Sequence, residues 1–139
     1  MKHIKILSIF FLCMICFSCA TKNISKVYID IEGNPDLIGK ITVEIADLIN
    51  QEKNINTTIN LVYDFDNVLG NEVLKELKKR GFPLSDTNGV RTTVIVGSHD
   101  FHKIHLTISL DKMILSRIYI YEVQTGTITP ITPLSKGRV

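Results

Sequence analysis

The sequence predicts an α+β fold: two helices packed on one face of a mainly antiparallel sheet of about four strands, preceded by a lipidated N-terminal tether. Three observations predict it. Apolar residues recur at helical spacing over 34–54 and again over 67–80. Apolar and polar residues alternate in the strand period through much of the second half. The first residues have the layout of an export signal that ends at a cysteine. The expected organisation is a signal peptide over 1–18, a lipidated tether and lead-in over 19–33, and one small α+β domain over 34–139.

The signal is read from Lys2 and Lys5, then an apolar run from Ile6 to Phe17 interrupted only by Ser8, then Ser18 and Cys19. The run is too short to span a bilayer comfortably. Cys16-Phe17-Ser18-Cys19 places a small residue directly before a cysteine, as in bacterial lipoprotein precursors. Cys16 and Phe17 stand where Leu and Ala or Ser are usual. In this reading Cys19 becomes the first mature residue, carrying diacylglycerol on its thiol and a fatty acid such as palmitate on its amino group. Each buried methylene contributes ~0.8 kcal/mol, so three chains anchor where a single one holds only marginally. Ala20 and Thr21 follow, with no Asp to retain the protein in the inner membrane, which favours the outer membrane, facing the periplasm. The alternative is a soluble secreted protein cut near Ser18 or Ala20.

Ala20 to Lys26 is polar and suits a flexible tether. Val27 to Ile31 is β-rich and fits either a short edge strand or an extended lead-in. Gly33-Asn34-Pro35-Asp36 starts the first helix: Asn34 caps, Pro35 fits the first turn, and Asp36 suits the positive end of the dipole. Ile38, Ile41, Ile45, Leu48 and Ile49 make its apolar face, and it ends near Lys53-Asn54. Thr57 to Tyr63 alternates as a strand, with Ile59, Leu61 and Tyr63 on one face. Asp64 or Asp66 can cap the second helix, from about Asn67 to Arg80, where Leu69, Val73 and Leu77 stack four apart. Lys75, Lys78, Lys79 and Arg80 crowd its negative end, and Gly81 stands where a left-handed stop is expected. Gly70 inside it reflects either close approach to a strand or a tolerated helix glycine.

Asn88-Gly89 signals a turn, and three strands follow: Arg91 to Val96, Ile104 to Leu110, and Met113 to Val123. In the last, Ile114, Ile118 and Ile120 are expected toward the core, with Leu115, Arg117, Tyr119 and Tyr121 on the opposite face. Thr125-Gly126 turns the chain toward Thr127 to Ile131. Pro130 and Pro133 hold that segment at an edge or outside the sheet. Ser135 to Val139 reads as a loose tail.

Composition narrows the function. Of 16 lysines and arginines, Lys2 and Lys5 leave with the signal, and the rest balance the 14 acidic side chains. A neutral mature chain disfavours direct nucleic-acid binding through a broad basic surface. Of the three cysteines, Cys13 and Cys16 leave with the signal and Cys19 is lipidated, so none remains for a disulfide, a thiolate metal site or a nucleophile. Ser98-His99-Asp100-Phe101-His102-Lys103-Ile104-His105 is the one metal-like cluster. Its spacing fits no zinc pattern, and a solvated loop between strands explains it. No Gly-x-Ser-x-Gly turn and no phosphate-cradling glycine loop is present. Asp64 and Asp66 are explained by capping. The expectation is therefore no enzyme, no cofactor and no metal. Arg117 stands out in a strand of Ile and Tyr: it serves either stacking or a partner carboxylate, or it is an exposed arginine with a solvated head.

Several pieces in order resemble the TrbH-type conjugal transfer lipoproteins, small components of the mating-pair-formation machinery, a branch of type IV secretion. They are Cys19; Leu69-Gly70; Leu77-Lys78-Lys79-Arg80-Gly81-Phe82; Leu115-Ser116-Arg117-Ile118-Tyr119; and Gly126-Thr127-Ile128-Thr129-Pro130. The chain departs from the family in lacking a tryptophan near its end. The resemblance implies a non-enzymatic, outer-membrane-anchored subunit of an envelope-spanning channel. Its partners would be the membrane, through the lipid, and other type IV secretion channel subunits. Arg117, Tyr119 and Tyr121 alternate onto one strand face and are residue types that carry interface energy when desolvated, so they are expected as a partner contact; the resemblance supports the same place through Leu115-Ser116-Arg117-x-Tyr119. The rival reading is an unrelated outer-membrane lipoprotein acting as a binding module or as an activator of a cell-wall enzyme. A third class is a small periplasmic enzyme.

Overall fold

The structure, a computed structural model, describes residue 31 and residues 33–63, 67–100 and 102–139, with the backbone alone at 99 and 100. Cys19, the signal, the tether, the lead-in before Ile31, Asp64 and Asp66 lie outside the described residues.

Helix α1 (Pro35–Glu52) forms where the spacing predicts. Asn34 is extended and its Oδ1 accepts the Leu37 N–H at 3.1 Å, while Pro35 and Asp36 fill the first turn. Its buried stripe holds Ile38, Ile41, Ile45, Leu48 and Ile49, joined by Leu37, Thr42 and Ala46. Strand β1 (Ile59–Leu61) follows. Helix α2 (Val68–Lys79) is capped by Asn67, whose side chain accepts the Gly70 N–H at 2.8 Å, a role the sequence reading gave to Asp64 or Asp66. It ends in a Schellman turn. Gly81, at φ +91°, donates to Lys78 O at 3.0 Å, and Phe82 donates to Leu77 O at 3.1 Å, which buries the Phe82 ring.

Five further strands complete the sheet among the described residues: β2 (Val90–Asp100), β3 (Lys103–Leu110), β4 (Met113–Glu122), β5 (Thr127–Pro130) and β6 (Ser135–Arg138). Their order is β1-β2-β3-β4-β5, with β6 also on β4. α2 carries the chain across from β1 to β2, and these two strands run parallel. The other pairings between these strands are antiparallel. The sheet is thus mixed and six-stranded, where about four mainly antiparallel strands were expected.

Three expectations are corrected here. Among its described residues, the segment from Ser98 to His105 is a strand hairpin and not an open loop, with Phe101 outside the described residues. Gly97 pairs with His105 and Ser98 with Ile104, with an irregularity between Ser98 and Asp100. The alternation of β3 simply continues to the end of the hairpin, and its polar members fall on the face away from the helices. The last residues are not loose either: β6 pairs with Met113–Ser116. β5 occupies the same edge only along Tyr119–Glu122, leaving the rest of β4 open to it. Main-chain pairing needs no apolar side chains, so the sequence carries no signal for it, but Lys136 also meets Glu52 of α1 in an ion pair. Pro130 lies on the edge strand opposite Tyr119, as a residue without an N–H requires.

The third correction concerns the faces of β4. Leu115, Tyr119 and Tyr121 are buried, with Ile104, Leu106, Ile108 and Leu110 of β3 and Thr92 and Val96 of β2 on the same side, under the helices. Ile114, Ile118 and Ile120 are half-buried on the other side, whose Ile95 is 60% exposed. Both faces of β4 carry large apolar residues, so a period of two fixes the alternation but not which set meets the helices.

Candidate functional site

The residues singled out in β4 converge on α1. Tyr119, 2% exposed, donates from its Oη to Glu44 Oε1 at 2.7 Å. Arg117 Nη1 stands 3.6 Å from the same oxygen. Asn34 caps α1 with its Oδ1 and donates from its Nδ2 to Tyr121 Oη at 3.2 Å. Burial, and then the bond to Glu44, hold the Tyr119 phenol well above its ordinary pKa, with Arg117 working weakly in the opposite sense. Arg117 Nε is out of solvent with no hydrogen-bond partner among the described residues.

This geometry changes the meaning of the three residues. They were expected on a face open to a partner, whereas they meet the partly buried carboxylate of Glu44 and the cap of α1. A neutral phenol and a guanidinium around one carboxylate is a polar clasp between helix and sheet. Arg117 pairs with an acidic group of its own fold, Glu44. Glu44 and Asn34 were missed as members. A signal existed for Glu44: it lies three residues after Ile41 and four before Leu48, a charge at the border of the apolar stripe.

A second feature is a cleft of about 360 Å³ between β1, the start of α2 and Val94 of β2. Tyr63 lies in it and donates to Asn71 Oδ1 at 3.3 Å. A Cβ added at Gly70 would stand 2.9 Å from the Tyr63 Cβ and nearer still to its ring. Close approach is thus the reason for this glycine, the approaching group being the tyrosine just after β1.

Among the described residues no three His, Cys, Asp or Glu side chains are grouped to hold a metal ion. The side chains of His99 and Asp100 lie outside the description. No helix among the described residues is long and apolar enough to cross a membrane.

The family model described as conjugal transfer protein TrbH matches residues 37–138. That span runs from the first turn of α1 through β6. No curated protein and no solved structure is similar enough to match.

Proposed function

The chain belongs to the TrbH family of conjugal transfer proteins, and from that premise we propose that it is a structural subunit of a conjugative type IV secretion apparatus, anchored in the outer membrane by lipid on Cys19. The single observation that carries the reading is the family match over 37–138, which includes both helices and all six strands described above. Two further features support it. Lys2, Lys5, the apolar run and Ser18-Cys19 suit export and acylation. The polar cluster on β4 supports α1 rather than presenting a nucleophile to a substrate.

In this reading the protein contributes an anchored domain to the mating-pair-formation channel and recognises protein subunits, not nucleic acid. The anchor is tested with Cys19→Ser. The variant is expected to accumulate as unprocessed precursor and to lose labelling by a radioactive fatty acid; undiminished labelling overturns the assignment. The role is tested by deleting the gene from a transfer-proficient element. Transfer frequency is expected to fall by orders of magnitude and to return with the wild-type gene. Unchanged transfer would point instead to the unrelated lipoprotein reading.

A further inference from the structure

Several cationic side chains of the described residues have an acidic partner. Lys40 meets Asp36, Lys75 meets Glu72, Lys79 and Arg80 meet Glu76, Arg117 meets Glu44, and Lys136 meets Glu52. Lys53, Arg91, Lys112 and Arg138 are different: none has an ion pair among the described residues, and all four line one cleft of about 590 Å³. They arrive from four elements: the end of α1, the start of β2, the β3–β4 turn and the end of β6. Between them Met113 is half-buried, with Leu110, 1% exposed, beneath it. Asp111, the acidic side chain of the lining, already accepts the Arg91 N–H at 2.8 Å. Lys53 also complements the negative end of α1, but no helix end explains the other three.

Four cationic side chains against the single carboxylate of Asp111 leave the cleft net positive, and an outside counter-charge would relieve their mutual repulsion. We propose that this cleft is a docking site for an acidic segment of a partner protein, with an apolar side chain on Met113 and flanking carboxylates on Lys53, Arg91, Lys112 and Arg138. The proposal rests on the channel-subunit reading only for what the partner is. The lining of the cleft favours a polypeptide over nucleic acid. No aromatic side chain lines it, so unpaired bases find no stacking platform. Arginine and lysine around a partly apolar pocket suit carboxylates flanking an apolar anchor.

The test uses the full chain and a fluorescein-labelled Asp-Glu-Leu-Glu-Asp peptide followed by polarisation. The expected result is saturable binding that weakens as salt rises, with the Asn-Gln-Leu-Gln-Asn peptide at least about tenfold weaker. Combined Arg91→Gln, Lys112→Gln and Arg138→Gln changes at these exposed positions should weaken the acidic peptide by at least about tenfold without shifting the melting temperature. Lys78→Gln, at a lysine away from the cleft that likewise has no ion pair among the described residues, should leave binding within about twofold. Absence of binding at ~1 mM peptide overturns the proposal, as does equal loss in Lys78→Gln. Tighter capture of phosphatidylglycerol vesicles or of an oligothymidylate, lost in the triple variant, also overturns it, in favour of a lipid or nucleic-acid site. In cells the triple variant should lower transfer frequency at normal protein level. If it loses peptide binding yet transfers fully, the docking assignment fails while the channel reading stands; if the gene deletion transfers fully, the channel reading itself fails.

Discussion

Gly70 and Tyr119 show how a single residue can reverse an average preference. Alanine is favoured over glycine inside a helix by ~1 kcal/mol. At Gly70 the added methyl meets the Tyr63 Cβ at 2.9 Å, close to the backbone, where a rotamer change gives no relief. Overpacking of that kind costs ~1–3 kcal/mol, so Gly70→Ala is expected to destabilise the fold in spite of the helical gain. Thermal melting checks it: a fall of a few degrees is expected, and a rise would remove the close-approach explanation. Tyr119 carries a pH prediction. Its folded pKa is raised, so the folded state holds the proton more tightly than the unfolded chain, whose phenols titrate near ~10. The stability it contributes is fully present below about pH 10 and is lost as pH rises beyond it. One of the four tyrosines should therefore titrate late in an absorbance titration at alkaline pH, and Tyr119→Phe should remove that late step. The same variant should cost ~1 kcal/mol at neutral pH through the lost bond to Glu44.

At the scale of elements, α1 and α2 were largely legible and β4 was legible only in part. The stripe of α1, its Asn34 cap and the Gly81 stop all follow from local rules that act within a few residues. The Asp111-Lys112, Thr125-Gly126 and Asn88-Gly89 turns belong to the same class, with φ of 54° at Asp111, 63° at Gly126 and 107° at Gly89. β4 is a strand, as its alternation implies, but the side turned to the helices carries Leu115, Arg117, Tyr119 and Tyr121. An arginine amid tyrosines reads as an exposed face until a carboxylate on a helix 73 positions away is seen to receive it. The two faces are separable by mutation. Leu115→Ala, at a side chain 1% exposed, is expected to cost ~2–5 kcal/mol. Ile118→Ala, on the half-buried face, should cost clearly less by chemical denaturation. Equal losses would mean that the outer face is as tightly covered as the inner one.

Across the whole molecule, one apolar cluster joins both helices to β1, β2, β3 and β4. The sequence by itself determined the helices, the turns, the α+β class and the family resemblance, because each depends on spacing, capping or short motifs within a contiguous stretch. It also carries the residue order from which the export signal and the lipid on Cys19 are proposed. The tertiary structure decided what depends on distant partners. The parallel seating of β1 beside β2 follows from the α2 crossover, and β6 exists because β5 leaves half of an edge unpaired. The same holds for the pairing of Arg117 with Glu44, and for the convergence of Lys53, Arg91, Lys112 and Arg138. A charge reveals its role only with its neighbours in place. The Coulomb interaction that sets that role falls with distance in space, and separation along the chain does not report that distance.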